Sequence, residues 1–141
     1  MCGAYLPCDP HLFPDKKLVE QERQSLIAKG WNPNKPTIGI HISARHFQNS
    51  WPENHFITLI QKIATSDRAQ FILLWSPGLQ NNPTHPGDDE KAARLLCSLS
   101  GLPIFAVPTR TISKLIAVTS LIDQLICSDG GAMHVAAALQ K

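Results

Sequence analysis

The sequence lacks the features of a membrane protein, a nucleic-acid binder or a disulfide scaffold. No apolar run approaches the roughly 20 residues needed to cross a bilayer. The opening Met1-Cys2-Gly3-Ala4-Tyr5-Leu6-Pro7-Cys8 has no basic-then-apolar order of a secretory leader, so a cytoplasmic protein is expected. Thirteen Lys and Arg face 11 Asp and Glu, a net charge of +2 with no basic run or stripe, which argues against a nucleic-acid partner. The four cysteines, Cys2, Cys8, Cys97 and Cys127, lack zinc-ligand spacing, as do the six histidines. They are expected as reduced thiols, with Cys97 and Cys127 inside core elements. Asp88-Asp89-Glu90 stands at a predicted helix start, where acidic residues complement the dipole, so neither a metal nor a cofactor is expected. Two phosphate-binding glycine patterns are missing too. After the first predicted strand stands His41-Ile42-Ser43-Ala44-Arg45 in place of G-x-G-x-x-G, which disfavours a dinucleotide dehydrogenase, and no G-x-x-x-x-G-K loop occurs.

What is present suffices for one ordinary core: 141 residues, 43% of them apolar. Residues 1–15, with Pro7, Pro10 and Pro14, read as an extended connector. From Lys16 to Lys29, Leu18, Val19, Leu26 and Ile27 recur at helical spacing, and Gly30 is the natural stop. The division expected is a connector and first helix over 1–35 and an α/β domain over 36–141. Thr37 to Ser43 alternates as a strand; Pro52 opens a helix with Phe56, Leu59, Ile60 and Ile63 on one face; and Ala69 to Trp75 is a continuous apolar run typical of a strand covered on both sides. The Pro- and Gly-rich residues 76–87 form a long loop before a helix carrying Ala92, Ala93, Leu95, Leu96 and Leu99. Leu102 to Val107 is a third strand, Thr111 or Ser113 caps a helix with Leu115, Ile116 and Val118 inward, and Ile122 to Cys127 is a fourth strand. Strands alternating with helices at this spacing imply right-handed crossovers and a Rossmann-like, doubly wound parallel sheet.

In the common strand order 3-2-1-4, the crevice between the first and fourth strands is the topological switch point, where ligands bind. The loops leaving those strands are Ser43–Trp51 and Ser128–Gly131. In the second, an apolar run ends in Asp129-Gly130-Gly131 and passes straight into the alanine-rich Ala132-Met133-His134-Val135-Ala136-Ala137-Ala138. Glycines let an anion approach the backbone, and the free N–H groups of the helix start point at it with the dipole behind them. Asp129 and His134 are the polar side chains beside that turn. The bland readings are an N-cap for Asp129, a core histidine for His134, a solvated Arg110 and a packing anchor for Trp51.

Ile40-His41-Ile42-Ser43-Ala44-Arg45, followed by Trp51-Pro52-Glu53 and later by Ser128-Asp129-Gly130-Gly131-Ala132-Met133-His134, resembles the carboxyl-terminal half of glycosyltransferase family 9, the bacterial lipopolysaccharide heptosyltransferases, from about Pro36 to Leu139. The resemblance implies one half of a two-domain GT-B enzyme that binds a nucleotide sugar, ADP-heptose or similar. It further implies a lipid-linked glycan acceptor held by an amino-terminal domain, and a place at the inner membrane's cytoplasmic face. By position, Ser43, Ala44 and Arg45 would contact phosphate or sugar, the loop around Thr109 and Arg110 would lie near the nucleobase, and Asp129, Gly130, Gly131 and His134 would form the diphosphate and sugar end. The family pattern carries Lys or Arg just before the Trp-Pro pair, where this sequence has Gln48-Asn49-Ser50; Arg45 and His46 are the cations of the same loop that would replace it. No residue qualifies as the general base, and a further strand and helix would be expected after the last helix. The alternatives are a binding-only or regulatory nucleotide module and a nonfunctional remnant.

Overall fold

A computed structural model describes residues 10–44, 47–66, 68–82 and 86–141, with the side chains of Phe47 and Ser66 left aside. The helices are α1 (Lys16–Ala28), α2 (Glu53–Ser66), α3 (Asp89–Ser98), α4 (Ile112–Thr119) and α5 (Gly131–Ala138). They alternate with strands β1 (Thr37–His41), β2 (Gln70–Trp75), β3 (Ile104–Pro108) and β4 (Gln124–Cys127), and a 3₁₀ turn covers Phe47–Asn49. The strands form one parallel sheet in the order β3-β2-β1-β4, the arrangement expected from the alternation of elements.

Side-chain alternation along the strands divides the core in two. On one face Ile40, Phe71, Leu73 and Trp75 pack with Phe56 and Ile60 of α2 and Leu95 of α3. On the other, Ile72, Leu74 and Val107 meet Leu26 of α1, Val118 of α4 and Val135 of α5. The six residues of β2 are all buried, as its unbroken apolar run requires of a central strand.

Local chemistry explains the element ends. Asp15 caps α1, its Oδ1 accepting from the Lys17 and Leu18 N–H groups at 2.8 and 3.3 Å, and Gly30 just beyond the helix takes φ +95°. Of the two capping candidates for α4, Thr111 does the work, accepting from Lys114 N–H at 3.2 Å. After α1 the chain turns back through Trp31, whose indole N–H donates to Thr37 Oγ1 at 3.1 Å. Glu22 of α1 also pairs with Lys114 of α4 at 3.3 Å, so the first helix packs into the same core as the sheet.

Two expectations about side-chain direction fail. Cys97 is exposed, because the inward stripe of α3 runs through Lys91, Ala92, Leu95 and Leu99 and leaves Ala93, Arg94 and Cys97 on the outer face. Ile27 likewise lies on the outer side of α1, 40% exposed, while Leu26 turns inward.

Candidate functional site

β1 and β4 lie side by side, with His41 in register with Cys127, and the chains leaving them run to α2 and α5 on opposite faces. The switch point is therefore where the strand order required it, and two hydrogen bonds join its loops. Trp51 N–H donates to Ser128 Oγ at 3.3 Å, and Asn49 Nδ2 donates to Asp129 Oδ2 at 3.3 Å.

Asp129 stands one residue before the helix cap, which is Gly130. The N-cap reading of Asp129 is thereby excluded, and its exposed carboxylate instead meets the first loop. Gly131 and Ala132 open α5, where backbone N–H groups have no carbonyl a turn earlier to bond. A Cβ added to Gly130 or Gly131 would meet no heavy atom within 4 Å, so packing within the chain does not demand glycine at either position. His134 faces solvent one turn into α5, which rules out a core histidine. Charge and burial together push the Cys127 thiol up, burial first and the Asp129 carboxylate second.

The other predicted residues are spread along the strand ends. Ser43 Oγ accepts from Ser76 N–H at 2.8 Å, which ties the first loop to the loop after β2, and Ala44 follows it half-buried. Arg110 is exposed beyond β3, on the opposite edge of the sheet from β4, roughly 14 Å away at ordinary strand spacing. Only an elongated ligand would touch both it and Asp129. Arg45 and His46 lie outside the described residues. Thr109, next to Arg110, is held by the β2 end, its hydroxyl and its N–H both donating to Trp75 O at 2.9 Å.

Trp51 is the packing anchor expected, set edge-on against Phe56 at 4.9 Å, yet it remains 38% exposed. It borders a cleft of about 720 Å³ at the amino ends of α2 and α3, lined also by Gln48, Ser50, Glu53, Asp88 and Lys91. Arg94 clamps Glu53 at 2.6 to 3.2 Å, and this pairing holds the Glu53 carboxyl below its usual range. Asp89 is committed to the fold, accepting from the Trp75 indole N–H at 2.7 Å and from Gly78 N–H at 3.0 Å.

Two buried polar residues of the region were not among the predicted site residues: Lys91, which belongs to no motif, and His41, which lies within the first-strand motif. Lys91, only 9% exposed, sends its Nζ from α3 to Ile42 O at 2.9 Å, Ser50 Oγ at 2.8 Å and Trp51 O at 3.3 Å; desolvation lowers its pKa. The signal that could have found it is a lysine on the apolar stripe of an amphipathic helix. His41, 8% exposed, ends β1 with its Nδ1 unpartnered, and burial brings its pKa down to about 4. Facing away from Ile40 and Ile42, it lies on the sheet face covered by α5 and is neutral at physiological pH.

The glycosyltransferase family 9 (heptosyltransferase) pattern matches residues 10–141. The chain belongs to glycosyltransferase family 9. No curated protein matches it by sequence. Among solved structures it is similar to a family 9 glycosyltransferase from Veillonella parvula, with a TM-score of 0.77 at 16% identity over 94% of this chain and 36% of that one. It is also similar to the Escherichia coli ADP-heptose lipopolysaccharide heptosyltransferase II, at TM-score 0.72 and 20% identity over 96% of this chain and 40% of that enzyme. A third, E. coli heptosyltransferase WaaC with ADP, gives 0.62 and 22% identity over 82% and 34%. The family 9 chain thus spans 40% or less of each of these enzymes, and its parallel sheet matches part of the GT-B heptosyltransferase structures. Among the described residues no helix is long and apolar enough to cross a membrane.

Proposed function

We propose that this chain is the nucleotide-sugar-binding half of a GT-B glycosyltransferase, with ADP-heptose or a close analogue as donor. The observation that carries the reading is the switch point itself: Asp129-Gly130-Gly131 at the end of β4 is bonded to the first loop through Asn49, and α5 opens on Gly131 and Ala132. Membership of the heptosyltransferase family and similarity to WaaC, solved with ADP, support the choice of nucleotide.

In this reading the diphosphate lies over the amino end of α5, held by the N–H groups of Gly131 and Ala132, with Gly130 allowing close approach and Asp129 and His134 bordering the sugar. Ser43, Ala44 and Arg45 bound the phosphates from the first loop, and Arg110 lies toward the nucleobase. When the glycosidic bond to the donor breaks, negative charge grows on the leaving diphosphate, and preorganised N–H donors stabilise it without reorganising. The acceptor hydroxyl attacks the anomeric carbon with inversion. Its general base and the lipid-linked glycan acceptor belong to a second domain working at the cytoplasmic face of the inner membrane, and no residue of this chain is assigned a catalytic role.

Calorimetric titration of the chain with ADP, UDP and GDP, each free and as its sugar conjugate, tests the reading. Saturable binding of ADP and its heptose conjugate in preference to the others is expected; no binding of any nucleoside diphosphate refutes it.

A further inference from the structure

Lys91 sits where an apolar side chain would be the cheaper choice. It belongs to the inward stripe of α3 with Ala92, Leu95 and Leu99, and its Nζ lies 5.3 Å from the centre of the Phe56 ring. Burying an ammonium is costly unless the charge is paired, and here its three hydrogen bonds all go to neutral acceptors. Among the described residues no carboxylate is in ion-pair contact with it; Asp88, and after it Glu53, which Arg94 clamps, favour its charge only from longer range. The three acceptors Ile42 O, Ser50 Oγ and Trp51 O all lie on the segment between β1 and α2, at its two ends. The cations of that segment, Arg45 and His46, stand in its first half and lie outside the described residues; from Phe47 to Pro52 it carries none. A positive charge has therefore been inserted beneath the first loop from a different helix, beside the cleft that Gln48 and Ser50 also line.

We propose that Lys91 is a second cation of the first loop beside Arg45: it holds the carboxyl-terminal part of the loop in the shape that receives the donor diphosphate and places a positive charge beneath the stretch from Phe47 to Pro52, which has none of its own. The proposal rests on the nucleotide-sugar reading above and extends it to a residue on α3. Lys91 is a positioning residue, since its three donors are already engaged; its charge acts through the loop it organises and through the field it adds to the site.

The test uses the full chain, ADP as the probe, calorimetry at low and high salt, and thermal unfolding of every variant. Lys91→Met keeps the length and apolar stem without the charge, and Lys91→Gln keeps a hydrogen-bond donor without the charge. Both are expected to bind ADP at least tenfold more weakly than the parent and to lose part of the salt dependence of binding. Adding Gln48→Lys to either variant puts a cation back at the stretch from Phe47 to Pro52 and is expected to restore most of the lost affinity, which a purely structural role for Lys91 would not allow. If Lys91→Met fails to fold, Lys91→Gln carries the comparison. Parent and variants binding equally, or a loss that Gln48→Lys leaves unrepaired, overturns the proposal alone. A parent chain that binds no ADP overturns the reading of the site and this proposal with it.

Discussion

Replacing Gly131 by valine separates what the α5 turn does for the fold from what it does for a ligand. Gly131 has no positive φ, and a Cβ built on it meets nothing within 4 Å, so the added side chain has room and causes no backbone strain. The position opens the helix, where a residue other than glycine lowers the entropy of the unfolded chain; the change in stability should stay within about 1 kcal/mol. For a domain of this size that is a melting shift of roughly 4 °C or less. A branched side chain at the helix start is expected to obstruct an anion approaching the N–H groups of Gly131 and Ala132. Losing one hydrogen bond to a charged group costs about 1.5–3 kcal/mol. That corresponds to roughly ten- to 150-fold weaker binding of ADP. Calorimetry for affinity and a thermal melt for the fold measure both halves on one sample. A valine variant that melts with the parent and binds ADP equally well would refute the placement of the diphosphate on this turn.

Gly87→Ala should behave in the opposite way: its Cβ would collide with the backbone of Gly78 across the loop that precedes α3, so the variant should lose well over 1 kcal/mol in urea denaturation, and unchanged stability would show that the loop yields freely. Phe56→Ala removes a fully buried ring that supports Trp51 and should cost about 3–5 kcal/mol by the same measurement. Burial holds the His41 imidazole at about 4 against an ordinary 6.5. Between those values the unfolded chain takes up a proton that the folded chain excludes, so stability should fall as pH drops through this window, by up to about 3 kcal/mol. His41→Leu should flatten that part of the pH profile, and a profile of unchanged slope would place the acid sensitivity elsewhere.

The sequence by itself determined the order of elements, the parallel sheet and the position of the switch point. Each of these follows from short-range periodicity: the unbroken apolar run of β2, the helical spacing of Phe56 and Ile60, and the Asp-Gly-Gly turn entering an alanine-rich helix. The handedness of crossovers then leaves few ways to assemble such pieces. The turn at Gly130 and Gly131 was legible for the same reason, since a glycine-rich helix start is a local feature of consecutive residues.

Only the tertiary structure decided which distant polar groups meet. The bond from Asn49 to Asp129 spans two loops 80 positions apart, and the ammonium of Lys91 reaches Ile42 across 49. Neither spacing has a period, so no pattern along the chain marks it. The direction of a residue at the edge of a helical stripe is equally undetermined by spacing, because a few tens of degrees of rotation exchange inside for outside; Cys97 and Ile27 turned outward, and Lys91 turned in. Local periodicity sets the elements, whereas the charge beneath the first loop depends on how two of those elements pack.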